Sequence, residues 1–152
     1  LLKDKTEMFH VKLDETALKR FDIYAKLLIE WNEKINLTAI TDPEGVTIKH
    51  FLDSLTIFSY VDIQEGAKVI DVGTGAGFPG LAMLIARPDL KMTLMDSTKK
   101  RLMVIEDILE NIGLAANVVH SRAEEAGQNK AFREQYDFST ARAVTNLRDL
   151  AE

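Results

Sequence analysis

Residues 69–80, Val-Ile-Asp-Val-Gly-Thr-Gly-Ala-Gly-Phe-Pro-Gly, run a short β-branched apolar stretch straight into four glycines within eight positions. Such a run reads as a buried strand that breaks into a tight, ligand-cradling turn. Gly73, Gly75 and Gly77 have no Cβ, so the backbone there can take positive φ and a bulky or charged ligand can approach the main chain itself. A plain turn has no need of three alternating glycines, each of which costs backbone entropy on folding.

A second short apolar run, Met92-Thr93-Leu94-Met95, ends in Asp96, nineteen residues past Gly77. Neighbouring parallel strands end side by side, and an acid at the second strand end can accept hydrogen bonds from both ribose hydroxyls of an adenosine. The segment Gly75-Ala-Gly-Phe-Pro-Gly80 also matches the G-x-G-x-x-G dinucleotide fingerprint. Two features count against a dinucleotide. Gly73 already ends the strand, so the turn starts two residues early, and Asp71 stands inside the strand, where an acid is unfavourable beside a pyrophosphate. The pattern Asp-x-Gly-x-Gly-x-Gly favours a cationic ligand such as S-adenosylmethionine, with its sulfonium and α-amino groups. NAD stays open as the alternative.

From Lys68 onward, short strands and helices alternate. The periodicity predicts strand 68–72, helix 79–87 closed by Pro88, strand 91–95, helix 98–112 closed by Gly113, and strands 116–119 and 137–141. Alternation of this kind means parallel strands joined by right-handed crossovers in a doubly wound α/β sheet. Upstream, Leu18, Phe21, Ala25, Leu28 and Ile35 repeat at helical spacing behind a capping Asp14, so 14–35 is expected to be helical. Thr41-Asp42-Pro43-Glu44 predicts a second helix start, and that helix should run to about Ser59. Residues 1–66 therefore read as an N-terminal helical cap and 67–152 as the ligand-binding α/β domain. Open nucleotide-binding sheets usually continue past a fourth strand, so the sheet is expected to be truncated at the C-terminus. Leu1, standing where an initiator methionine would, points to truncation at the front as well.

A chain of 152 residues with 46% hydrophobic content can bury a real core. It has no apolar run near the roughly 18 residues of a membrane span. With no cysteine there are no disulfides or thiolate metal sites, and His10, His50 and His120 lack metal-ligand spacing, so no structural metal is expected. The absence of cysteine agrees with a cytoplasmic protein. The net charge of −5 argues against a general basic coat for nucleic acid. It is unevenly spread, at −4 over residues 1–66 and −1 over 67–152, and Lys99-Lys100-Arg101 follow Asp96 directly. That cluster is either a basic rim for phosphate or a solvated helix start.

With loop, acid and alternating strands in place, the whole chain resembles the RsmG (GidB) family of bacterial 16S ribosomal RNA guanine-N7 methyltransferases. Trp31-Asn-Glu-Lys-Ile-Asn-Leu-Thr38 and Lys49-His-Phe-Leu-Asp-Ser54 look like that family's helical-cap motifs, and Asp71 to Pro79 like its cofactor loop. Asp96-Ser97 with Lys100-Arg101, Ser121-Arg-Ala-Glu124 and Thr140-Ala-Arg-Ala143 look like its later motifs. The glycine loop is shared by many methyltransferases; the two cap motifs are specific to this family. The resemblance implies a Rossmann-like methyltransferase sheet, a monomer, and a 16S ribosomal RNA or small-subunit partner.

The resemblance also implies S-adenosylmethionine contacts at Gly73, Phe78, Ala123, Glu124 and Arg142, beside Gly75, Gly77 and Asp96 from the loop reading. Lys100 and Arg101 are the candidates for RNA phosphate. No catalytic base is assigned. Guanine N7 carries a free lone pair and no proton, so transfer needs positioning and desolvation more than a base. His50, three residues before Asp53, is expected to bridge the cap onto the sheet. Two other readings stay open, an NAD-dependent oxidoreductase and a non-catalytic cofactor-binding domain in ribosome assembly.

Overall fold

The computed structural model describes residues 11–35 and 45–141 apart from 131 and 133, and of residues 46–48 only the backbone. Helix α1, Glu15–Lys34, starts where Asp14 Oδ1 accepts from the Ala17 N–H at 2.7 Å. Glu15 in its first turn and Lys34 in its last complement the helix dipole. Its buried stripe is Ala17, Phe21, Tyr24 and Leu28.

The second helical stretch, α2, does not keep one winding. It runs as a π-helix over Val46–Leu52, an α-helical turn over Asp53–Leu55 and a 3₁₀ turn over Thr56–Ser59, ending where the periodicity placed its end. Its start signal, Asp42-Pro43, lies outside the described residues. The change of winding brings Ser54 inward along with Phe51, Leu52 and Leu55, and the Ser54 hydroxyl donates to the His50 carbonyl at 2.6 Å.

The sheet holds β1 (Lys68–Val72), β2 (Lys91–Asp96), β3 (Asn117–His120) and β4 (Phe138–Ala141), all parallel in the order β3-β2-β1-β4. Between them lie α3 (Gly80–Ala86), α4 (Lys99–Ile112) and α5 (Ala123–Gln128). Side chains alternate across β1 and β2 as the pleat requires. Val69, Met92 and Leu94 enter the main core with α1, α3 and α4, whereas Ile70 and Met95 pack with Ala126 of α5 on the opposite face. Helices on both faces make the sheet doubly wound, as expected. Helix α5 was not anticipated, because Ala-Glu-Glu-Ala-Gly-Gln is too short and too poor in apolar residues to show a helical period.

Cap and sheet share one core. Phe21, Tyr24, Leu28 and Phe51 belong to the same buried cluster as Leu81, Leu84 and Ile105. Two polar clamps fix α1 to α4: Arg20 Nε donates to Ile112 O at 2.9 Å, and Trp31 Nε1 donates to Asp107 Oδ2 at 2.8 Å. At the opposite end of the sheet, Asp89 joins Arg87 at 2.7 Å and accepts from the Gly66 N–H at 3.0 Å. The Arg87 hydrogen bond, reinforced by the Gly66 N–H, lowers the Asp89 carboxyl to about 2. Among the described residues no helix is long and apolar enough to cross a membrane.

Candidate functional site

The glycine turn leaves β1 with Gly73, Gly75 and Gly77 all at positive φ (68°, 57° and 99°), as the spacing predicts. Beyond that the three positions differ. A Cβ on Gly75 would meet nothing closer than the Gly73 carbonyl at 4.0 Å. A Cβ on Gly77 would lie 2.5 Å from Tyr24 Oη, 2.9 Å from Leu81 Cβ and 3.1 Å from Ile105 Cδ1. Gly75 thus borders open space where a ligand can come close, and Gly77 is glycine because the cap and α4 press on it.

Two carboxylates hold the turn from behind. Asp71 is fully buried, and its Oδ2 accepts from Thr74 Oγ1 at 2.7 Å and from the Gly80 N–H at 2.8 Å. Its Oδ1 accepts from Thr140 Oγ1 at 3.1 Å, tying β4 to β1. Burying a carboxylate is costly unless hydrogen bonds replace water, and these donors do so. The sequence reading gave Asp71 an electrostatic preference for a cation; the structure gives it a mechanical task first. It also answers the dinucleotide alternative, since the first N–H of α3, where a pyrophosphate would dock, is taken by this chain's own carboxylate.

Asp96, 2% exposed, accepts from the Gly75 N–H at 2.8 Å through Oδ2 and from the Thr98 N–H at 2.9 Å through Oδ1, with Arg101 Nη1 at 3.8 Å. Each of its oxygens has a further lone pair for a ribose hydroxyl. The acid therefore first fixes the distance between the glycine turn and the end of β2, a role its spacing did not reveal.

At the carboxyl ends of β1, β2 and β3 opens a cavity of about 350 Å³ lined by Val72, Gly73, Ser97, Ser121, Arg122, Ala123 and Glu124. Gly73, Ala123 and Glu124, widely separated in sequence, meet here as expected. Ser97, Ser121 and Arg122 were not assigned to the pocket. The signal that finds them is position, because each directly follows a strand end or lies one residue beyond it. His120 Nε2 lies 2.9 Å from Ser97 O and ties β3 to this rim. A second cavity, about 330 Å³, lies between the cap and β4 and is lined by Asp53, Ser54, Ile57, Pro79, Ser139, Thr140 and Ala141.

Phe78 is placed elsewhere than expected. It is 7% exposed, with its ring stacked on Tyr24 (5.4 Å) and on His50 (4.6 Å, 16° between planes), so it joins loop to cap instead of lining the first cavity. Tyr24 completes the joint by donating its hydroxyl to Ala76 O at 2.6 Å. His50, expected to bridge the cap onto the sheet, joins the cap to the glycine loop through this stack. Lys100 is exposed in the first turn of α4, and Arg101 beside it faces Asp96. Arg142 lies outside the described residues, as do residues 36–38 of the Trp31–Thr38 motif.

A doubly wound parallel sheet with a glycine turn after β1, an acid at the end of β2 and an open crevice across three strand ends defines a Rossmann-like, methyltransferase-type domain. The fold of a putative protein-L-isoaspartate O-methyltransferase from Plasmodium falciparum, solved with S-adenosyl-L-homocysteine, matches 98% of this chain and 76% of that one (TM-score 0.55, 14% identity). The chain belongs to the GidB family, rRNA small subunit methyltransferase G, whose model matches residues 17–152. Ribosomal RNA small subunit methyltransferase G of Alkaliphilus metalliredigens is 46% identical over 100% of this chain and 64% of its own length. That of Halalkalibacterium halodurans is 50% identical over 92% and 59%. The chain thus spans about three-fifths of the length of these curated relatives.

Proposed function

We propose that this chain forms the cofactor-binding and cap portion of a cytoplasmic enzyme that methylates N7 of a guanine in 16S ribosomal RNA. Family membership supports the reaction class, and the observation that carries the site is the cavity of about 350 Å³ across three strand ends, lined by Gly73 of the glycine turn. The residues present fit S-adenosylmethionine. Gly73 and Gly75 admit it to the backbone, Ala123 leaves room for a flat ring, Glu124 and Arg122 offer charge of either sign at the mouth, and Asp96 has lone pairs for the ribose. When bound, that cofactor supplies an electrophilic methyl on a sulfonium.

In this reading residues 67–152 hold the cofactor and 1–66 form the cap. The chain's own contribution is positioning and exclusion of water, which suits an acceptor with a free lone pair. Asp71 and Asp96 fix the turn, and the Tyr24–Phe78–His50 stack keeps the cap seated on it. Lys100, exposed in the first turn of α4, and Arg101 beside it are the residues proposed to meet RNA phosphate.

Two measurements on the full-length protein test the reading. Calorimetry should show binding of S-adenosylhomocysteine and none of NADH. Tritium from labelled S-adenosylmethionine should enter small ribosomal subunits purified from a strain lacking the enzyme and be recovered as N7-methylguanine. Binding of NADH alone, or label absent from the RNA, refutes it.

A further inference from the structure

A larger cavity, about 580 Å³, opens at the opposite end of the sheet from the crevice. Lys68 and Lys91 start β1 and β2 and pair directly, and one row further on Thr93 pairs with Asn117. Paired residues share a face and side chains alternate along a strand. These four therefore lie on the face where Ile70 and Met95 pack against Ala126 of α5. The opening has a simple cause. The six residues of α5 span about 9 Å, whereas the six of β2 span about 20 Å, so the helix covers the carboxyl half of that face and leaves the amino half bare. Tyr136, half-buried, forms a further wall. Lys91 lies about 17 Å from Asp96 along β2, so a ligand here is separate from one in the crevice.

The lining suits an anion. Among the described residues that line the cavity none is acidic, on a chain whose net charge is −5. Asp137, next to Tyr136 in sequence, accepts from the Lys68 N–H through Oδ2 at 2.8 Å. Like charges at directly paired positions of a sheet repel one another. Neither ammonium has an ion pair or a hydrogen bond among the described residues, and an anion seated between them removes the repulsion. Thr93 is the second, independent sign. It is 3% exposed, yet its hydroxyl has no hydrogen-bond partner among the described residues. A buried hydroxyl left unpaired is unfavourable, and a valine would fill the same place on the strand without that penalty. The Asn117 amide and the Tyr136 hydroxyl also lack partners among the described residues.

We propose that this cavity binds a ribose phosphate, with the phosphate between Lys68 and Lys91 and the sugar hydroxyls on Thr93 and Asn117. Two ammoniums, each a point charge with three donors, suit the several oxygens of a phosphate. A hydroxyl and an amide that both donate and accept suit a polyhydroxylated body, for which the volume has room. The unit can arrive as a free ester or as one residue of an RNA strand, and the recognising chemistry is the same. The site does not depend on the methyl transfer proposed above.

The test uses the full-length protein, with ribose 5-phosphate and a short oligoribonucleotide lacking terminal phosphates as probes. Acetylation of each lysine is followed by mass spectrometry, and affinity by calorimetry. Ribose 5-phosphate should slow acetylation of Lys68 and Lys91 and leave Lys100 unchanged, whereas ribose, or sulfate at equal ionic strength, should not. Shielding by the ester alone assigns the free form; shielding by the oligoribonucleotide as well assigns an RNA strand. The double variant Lys68→Gln/Lys91→Gln should bind ribose 5-phosphate at least about tenfold more weakly, and Thr93→Val roughly threefold to tenfold. Both should be at least as stable in urea as the wild type, because one removes a repulsion and the other an unpaired hydroxyl, so lost binding is not lost folding. Lysines already unreactive without a probe would mean that the rest of the full-length chain fills the cavity, and would overturn the proposal. So would shielding no greater than that by sulfate, or variants that bind the ester like the wild type. None of these results bears on methyl transfer.

Discussion

Gly75 and Gly77 stand two residues apart in one turn, yet replacing each by alanine should do opposite things. At Gly77 the added Cβ would lie 2.5 Å from Tyr24 Oη and 2.9 Å from Leu81 Cβ, at φ +99°. Neither neighbour can easily yield. The Leu81 Cβ rides on the α3 backbone, and the Tyr24 ring is packed between Phe51 and Phe78 with its hydroxyl bonded to Ala76 O. Overpacking costs about 1–3 kcal/mol. The unfavourable backbone conformation adds about 1–2 kcal/mol, and loss of the tyrosine bond about 1 kcal/mol. Gly77→Ala should therefore destabilise the fold by roughly 3–6 kcal/mol.

At Gly75, with φ +57° and open space ahead of the Cβ, only the left-handed conformation is penalised, at about 1 kcal/mol. The methyl would instead project where the cofactor approaches and should lower S-adenosylhomocysteine affinity at least about tenfold, or about 1.4 kcal/mol. Urea unfolding at constant m, together with calorimetric titration of both full-length variants, measures the two quantities separately. If Gly77→Ala is no less stable than Gly75→Ala, or Gly75→Ala binds like the wild type, the division between a packing glycine and a ligand glycine is wrong.

Asp96→Asn should lower S-adenosylhomocysteine affinity by about 1–3 kcal/mol. Because Asp96 also holds the Gly75 and Thr98 N–H groups, part of the loss should persist for a ligand lacking both ribose hydroxyls; a loss confined to the intact ribose would show that its grip on the loop is immaterial. Lys100→Gln should leave cofactor affinity unchanged and reduce the log–log salt slope of RNA binding by up to about one, whereas an unchanged slope makes Lys100 a solvated helix residue. For Asp89, the folded carboxyl near 2 lies below its ordinary 3.8, so its contribution is fully present above 3.8 and fades as pH falls toward 2. Discounted for the partial exposure of the pair, it is about 1–2 kcal/mol. Asp89→Asn should accordingly be less stable than the wild type at neutral pH, with the gap closing near pH 2 in denaturant titrations, and a gap independent of pH would remove the ion pair as its cause.

Local chemistry wrote much of this fold into the chain. Asp14 before an apolar stripe set the start of α1, Gly113 set the end of α4, and short apolar runs ending in Gly73 and Asp96 set β1 and β2, because caps, periodicity and strand breaks act over a few residues. The glycine turn, with its three positive-φ glycines, was legible for the same reason. Distances across the chain were not. Nothing local says that Tyr24 reaches Ala76 O, that Phe78 turns into the cap instead of the crevice, that Gly77 is squeezed by Ile105, or that Asp71 holds Thr140. These depend on where α1 lands on the sheet, which the shared core decides. The same holds for the pocket at Asp53, whose lining comes from the cap, the start of α3 and β4. A sequence fixes which side chains can bond or pack over a few residues. Which of them face each other across tens of positions is chosen only when the apolar faces of cap and sheet are buried against one another, and it is that choice that separates a glycine with open space before it from one pressed by its neighbours.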